Sequence, residues 1–97
     1  NDSLEELNLS NTKLKEITNE MFINLKNLNK LNLSGNEIEK IESDIFKENK
    51  NLKILNLSKN KLVELKNGDL THLNDCLNVL DLSENHIFSI EKSVFVN

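Results

Sequence analysis

The sequence predicts an α/β solenoid: a coil of stacked turns with one parallel sheet, its return paths irregular or in short helical turns. Three observations predict it. Leu-Asn-Leu-Ser occurs at 7–10, 31–34 and 55–58, and Leu-Asp-Leu-Ser follows at 80–83. The copies are spaced by 24, 24 and 25 residues. Apolar residues hold fixed places around every copy, which is how stacked supersecondary units appear in a sequence.

The 97 residues make one domain, with repeats at 4–27, 28–51, 52–76 and 77–97, the last incomplete at 21 residues. The first repeat places Leu4, Leu7, Leu9, Leu14, Ile17, Phe22 and Leu25 in register. The second places Leu28, Leu31, Leu33, Ile38, Ile41 and Phe46, with Asn49 where the final leucine is due. The third gives Leu52, Leu55, Leu57, Leu62, Leu65, Leu70 and Leu73, and the fourth Leu77, Leu80, Leu82, Ile87, Ile90 and Phe95.

Strands come first within each unit, near 6–9, 30–33, 54–57 and 79–82. Their polar–apolar alternation has the period of two that sends neighbouring side chains to opposite faces. Leu7 and Leu9 therefore face inward, while Glu6, Asn8 and Ser10 face outward. A turn-rich stretch follows, "GNEI" at 35–38 and "KNKL" at 59–62. The return path then carries Ile17, Phe22 and Leu25 inward. A single unit leaves its leucines in water, so units must stack, with their strands parallel and about 4.8 Å apart.

The runs "LEELNLSNTKL", "LNKLNLSGNEI", "LKILNLSKNKL" and "LNVLDLSENHI" resemble the leucine-rich repeat family over almost the whole chain. The phenylalanine of the return path, in "EMF", "DIF" and "SVF", resembles the extracellular subclass of about 24 residues, as in Toll-like receptor ectodomains and related secreted or membrane-anchored proteins. The resemblance implies a right-handed horseshoe with a concave parallel sheet. It also implies structural turn asparagines at Asn36, Asn60 and Asn85, whose amides bond to backbone. Thr12 takes that position in the first unit, so its turn should be held less well. "GDL", with Asp69 and Leu70, replaces the phenylalanine motif in the third unit, and an extra residue falls near Asp75. Both changes should loosen the return side there.

Asn8, Asn32, Asn56 and Asp81 are expected to form a column on the outward face, along which neighbouring asparagine side chains can hydrogen-bond. Asn8, Asn32 and Asn56 also begin Asn-Leu-Ser acceptor sequences for N-linked sugar. Asn1 begins another, at an end where chains fray.

The net charge is −4, with twelve lysines and no arginine, tyrosine or tryptophan, which makes a poor nucleic-acid binder. No apolar run approaches a membrane span. The chain opens "NDSLEEL", without a methionine or a leader, and is expected to be cut from something longer. Gly35 and Gly68 do not form a phosphate loop. His72, Asp75 and Cys76 share a loop, yet their spacing matches no standard metal framework, and His86 lies a repeat away. No metal, cofactor or catalytic activity is expected. Cys76 reads as a small apolar residue at a repeat junction.

The expected function is protein recognition by the outward face, for a protein ligand or co-receptor, in an extracellular setting. Cytoplasmic repeats can spell the same motifs. Beside the first strand leucine, the exposed residue is Glu6, then Lys30, then Ile54, then Val79. The face turns apolar toward the third and fourth units, so contact is expected at Ile54, Asn56, Ser58, Val79, Asp81 and Ser83. Val63 and Phe88 form a second apolar pair on the turn-side flank. A structural spacer is the competing expectation, because Trp, Tyr and Arg, the common interface anchors, are missing.

Overall fold

The structure, a computed structural model, describes residues 3–42, 44–66, 70, 73 and 76–90, with the backbone alone at 89 and 90. The repeats coil as the periodicity requires. Strands β1 (Glu6–Asn8), β2 (Lys30–Asn32), β3 (Ile54–Asn56) and β5 (Val79–Asp81) form a four-stranded parallel sheet in chain order. Leu7, Leu31, Leu55 and Leu80 align across it, as do Asn8, Asn32, Asn56 and Asp81. Each strand ends one residue before the predicted bound. The ladder nevertheless runs on, since Leu9, Leu33 and Leu57 each donate an N–H to the strand that follows, at 2.8 Å.

The return paths are nearly free of regular structure. Among the described residues the helix is a single turn, α1 (Asn19–Phe22). A two-stranded parallel sheet of β4 (Glu64–Leu65) and β6 (Ser89–Ile90) was not expected. Its sequence signal is the alternation in "VEL" at 63–65 and "FSI" at 88–90. The corresponding "KEI" at 15–17 and "EKI" at 39–41 put a charged residue where valine or phenylalanine would favour a strand.

The core is a column of leucines between the sheet and the return paths. Leu28, Leu31, Leu33, Leu52, Leu55, Leu57 and Leu62 are completely buried. Leu7, Leu9 and Leu14 of the first repeat and Leu77, Leu80 and Leu82 of the fourth are only partly buried against it. Each of these outer repeats has a described neighbour on one side alone. The Phe22 and Phe46 rings stack at 5.8 Å, and Leu70 is buried in the corresponding place of the third repeat. Asp69, Asp75 and Phe95 lie outside the described residues.

Asn49 does not mark a gap in the leucine pattern. It is fully buried and donates its amide N–H groups to the carbonyls of Phe22 (2.9 Å) and Leu25 (3.1 Å). It closes the C-terminal end of α1, where helical carbonyls have no partner within the helix. Asn51 makes a similar contact to the Lys26 carbonyl at 3.0 Å.

These burial differences set a stability gradient. Truncating Leu31 or Leu55 to alanine is expected to cost roughly 2–5 kcal/mol, as for other buried leucines. Leu7→Ala should cost less, and Lys30→Ala should stay within about 0.5 kcal/mol because its side chain is exposed. Urea titrations of the variants check the order, and equal losses at Leu31 and Lys30 would contradict the face assignment.

Candidate functional site

Two columns of side chains cross the solvent face of the main sheet. One runs Glu6, Lys30, Ile54, Val79, in register from strand to strand. Glu6 and Lys30 are exposed, Ile54 is half-buried and Val79 is 51% exposed. Ile54 and Val79 are direct neighbours on β3 and β5. At the polar end, Glu6, Leu7, Asn8, Lys30 and Asn32 line a shallow hollow of about 350 Å³.

The second column is Asn8, Asn32, Asn56 and Asp81. Its hydrogen bonds do not run from repeat to repeat, as the sequence suggested. Each side-chain oxygen accepts from the serine two residues on. Ser10, Ser34, Ser58 and Ser83 each donate a hydroxyl at 2.7 Å and a backbone N–H at 2.9–3.0 Å. A partner so near in sequence needs little ordering, so this local bond wins over a cross-strand one. Ser58 is also only 5% exposed, and its hydroxyl is engaged by Asn56. It is therefore no hydrogen-bonding group at the rim of a contact, contrary to expectation. Ser83 is exposed, and Asn56 and Asp81 are half-buried.

The turns behind this face are pinned by asparagines, Asn36 and Asn60 buried and Asn85 half-buried. The Asn60 amide donates to the carbonyls of Leu33, Leu57 and Ser58, and its oxygen accepts from the Ile38 N–H. Asn36 makes the same contacts one repeat earlier, and Asn85 one repeat later. Thr12 stands at this position in the first repeat. Its hydroxyl lies 2.8 Å from the Leu9 carbonyl, and its N–H donates to Asn36. The first turn is tied from the second repeat by Asn36, as the next two turns are by Asn60 and Asn85.

Sequence reasoning missed a column of left-handed residues just after each Leu-x-Leu-Ser. Asn11, Gly35, Lys59 and Glu84 have φ between 55° and 68°. Glycine and asparagine are the residues that accept this region most readily, and two of the four positions carry them. That was the available signal. A Cβ at Gly35 would also collide with the Asn11 carboxamide.

Of the metal candidates, His72 and Asp75 lie outside the described residues. Cys76 is half-buried, with its sulfur 3.8 Å from the Leu73 carbonyl. Asn1 also lies outside them. On the flank, Val63 is 42% and Phe88 78% exposed, joined by a hydrogen bond from the Phe88 N–H to the Val63 carbonyl.

The family model described as "Leucine rich repeat" matches residues 26–87, and that described as "Leucine Rich repeats (2 copies)" matches residues 2–47. The chain belongs to the leucine-rich repeat family. No curated protein matches it. Leucine-rich repeats generally mediate protein–protein interaction, and the family is generally non-catalytic. The solenoid and its four-stranded parallel sheet are those such repeats imply. Four strands of three residues do not by themselves trace a horseshoe.

In this leucine-rich repeat sheet, Asp81 is the acidic rung among asparagines. The hydroxyl of Ser83, and then its backbone N–H, hold the Asp81 carboxyl below the usual aspartate range. A depressed folded-state pKa stabilises the fold above the unfolded value, and that contribution is lost as pH falls through the folded value. Ser83→Ala should therefore raise the Asp81 midpoint in an NMR titration. An unchanged midpoint would show that the hydroxyl bond is not made in solution.

Proposed function

We propose that these repeats are a non-catalytic protein-binding module, part of the ectodomain of a receptor or adhesion protein. The sheet's solvent face is the contact surface, curved as the concave wall of a horseshoe in a longer solenoid. The observation that carries this reading is the adjacent Ile54–Val79 pair on a face that is otherwise polar. The half-buried Ile54 and the exposed Val79, on neighbouring strands, gain by being covered, and polar groups around them supply direction. Asn56, Asp81 and the exposed Ser83 are those groups. The partner is a protein ligand or co-receptor, with no nucleic acid and no membrane contact by this segment.

The extracellular setting is supported by the three Asn-Leu-Ser sequences and by the phenylalanine-bearing 24-residue repeats that resemble Toll-like receptor ectodomains. The amide nitrogens of Asn8, Asn32 and Asn56 are the points of sugar attachment in this reading. They stand on adjacent strands about 4.8 Å apart, closer than the width of a glycan, so full occupancy of all three is disfavoured. A spacer role is the second reading. The chain has no Trp, Tyr or Arg to anchor an interface, which favours placing ligand contacts elsewhere. A cytoplasmic adaptor built of the same repeats is a more distant reading.

The experiment is the double substitution Ile54→Glu with Val79→Lys in protein secreted from animal cells. Far-UV circular dichroism should be unchanged, and affinity for cell-surface protein partners should fall by about tenfold or more. Unchanged affinity in the folded double variant would put the spacer reading ahead. Intact mass of the same material reports sugar occupancy, and secreted protein free of sugar at all three sites would remove the sequons as support for an extracellular setting.

A further inference from the structure

The repeats separate along the turn-side flank, and a groove opens between the second and the third. All three junctions begin alike. Glu37, Lys61 and His86 each donate an N–H to the preceding repeat, accepted by Leu14, Ile38 and Leu62 at 2.7–2.9 Å. Between the third and fourth repeats the ladder continues, from the Phe88 N–H to the Val63 carbonyl and into the pairing of β4 with β6. Among the described residues that continuation has no counterpart between the second and third repeats, and β4 pairs with β6 alone. Residues 39–42 lie on one side of the resulting groove, and Val63, Glu64 and Lys66 on the other. Its volume is about 620 Å³.

We propose that the open edge of β4 is a strand-addition site for an extended, lysine-rich segment of a protein partner. The Val63 carbonyl faces the fourth repeat. Backbone groups alternate sides along a strand, so the N–H and C=O of Glu64 face the groove. An unpaired strand edge is a template for another extended chain. Buried Ile41 contributes to the groove lining. The carboxylates of Glu39, Glu42 and Glu64 outnumber the ammonium groups of Lys40 and Lys66, and Lys66 already lies 3.4 Å from Glu64. That surplus selects cationic side chains. Exposed Val63, with Phe88 beside it, offers an apolar contact to the alternate residues of the same segment. The site is separate from the sheet face, so it stands or falls independently of the contact proposed there.

The probe is the peptide acetyl-Lys-Val-Lys-Val-Lys-amide, titrated into the ¹⁵N-labelled chain. The expected result is saturable amide shifts confined to residues 39–42, 63–66 and 88. A peptide of equal charge with proline in place of each valine keeps the lysines but cannot pair as a strand, and should bind about tenfold more weakly. The glutamate counterpart should give no shifts. Glu39→Lys with Glu42→Lys, both at exposed positions, should weaken the lysine peptide by a similar factor. Equal affinity for the proline peptide, shifts centred on Ile54 and Val79, or no saturable shift at all would each overturn the proposal.

Discussion

An asparagine in each of the last three turns, buried at Asn36 and Asn60 and half-buried at Asn85, decides how these repeats stack. Burial of leucine drives the chain to compact, but it is non-directional, and leucine columns could slide against one another. A carboxamide has two donors and an acceptor in fixed geometry. Asn60 uses them on the carbonyls of Leu33, Leu57 and Ser58 and on the Ile38 N–H. It thereby satisfies backbone groups that a tight turn would leave buried and unpaired, and it does so across two repeats at once. Asn36 and Asn85 repeat the device, and Thr12 keeps part of it. Asn49 performs a related task on the return side.

The candidate surface follows from this constraint. With the turns pinned, successive strands pair without slippage, and every outward position becomes a straight column. Composition alone then writes the face: charge at Glu6 and Lys30, apolar surface at Ile54 and Val79. The serine hydroxyls fix the rotamers of the next column, so Asn8, Asn32, Asn56 and Asp81 present ordered polar groups. Along the flank beyond Ile38 the second repeat forms no strand to pair with β4, and a groove lies there beside Glu39, Lys40 and Glu42.

Much of the fold was legible because repetition supplies several readings of one pattern. The inward leucines, the parallel strands and the turn asparagines all follow from period and alternation. Less legible was whatever depended on a single position. Asn49 interrupts a leucine column, and a pattern counts that as a gap, whereas in the fold its amide holds the carbonyls of Phe22 and Leu25. The second sheet arises from two short alternations that each look like chance. The left-handed turn residues include Lys59 and Glu84, whose side chains give no hint of a positive φ. Within the candidate site, the register of Ile54 and Val79 could be read directly. The burial of Ser58 could not, because it comes from the packing of adjacent turns.

The most direct measurement is the stability and amide exchange of Asn60→Leu beside Asn8→Leu. Leucine at position 60 fills the site with an apolar side chain but leaves the Ile38 N–H without its acceptor, while the carbonyls of Leu33, Leu57 and Ser58 keep donors from Asn36, Asn85 and Gly35. A buried unpaired group costs about 1–3 kcal/mol, so a loss of that order is expected. The Ile38 amide should exchange faster than in the parent. Asn8 is exposed, and its replacement should leave both quantities nearly unchanged. An Asn60→Leu variant as stable as the parent, with the Ile38 amide still protected, would show that leucine packing alone sets the stacking.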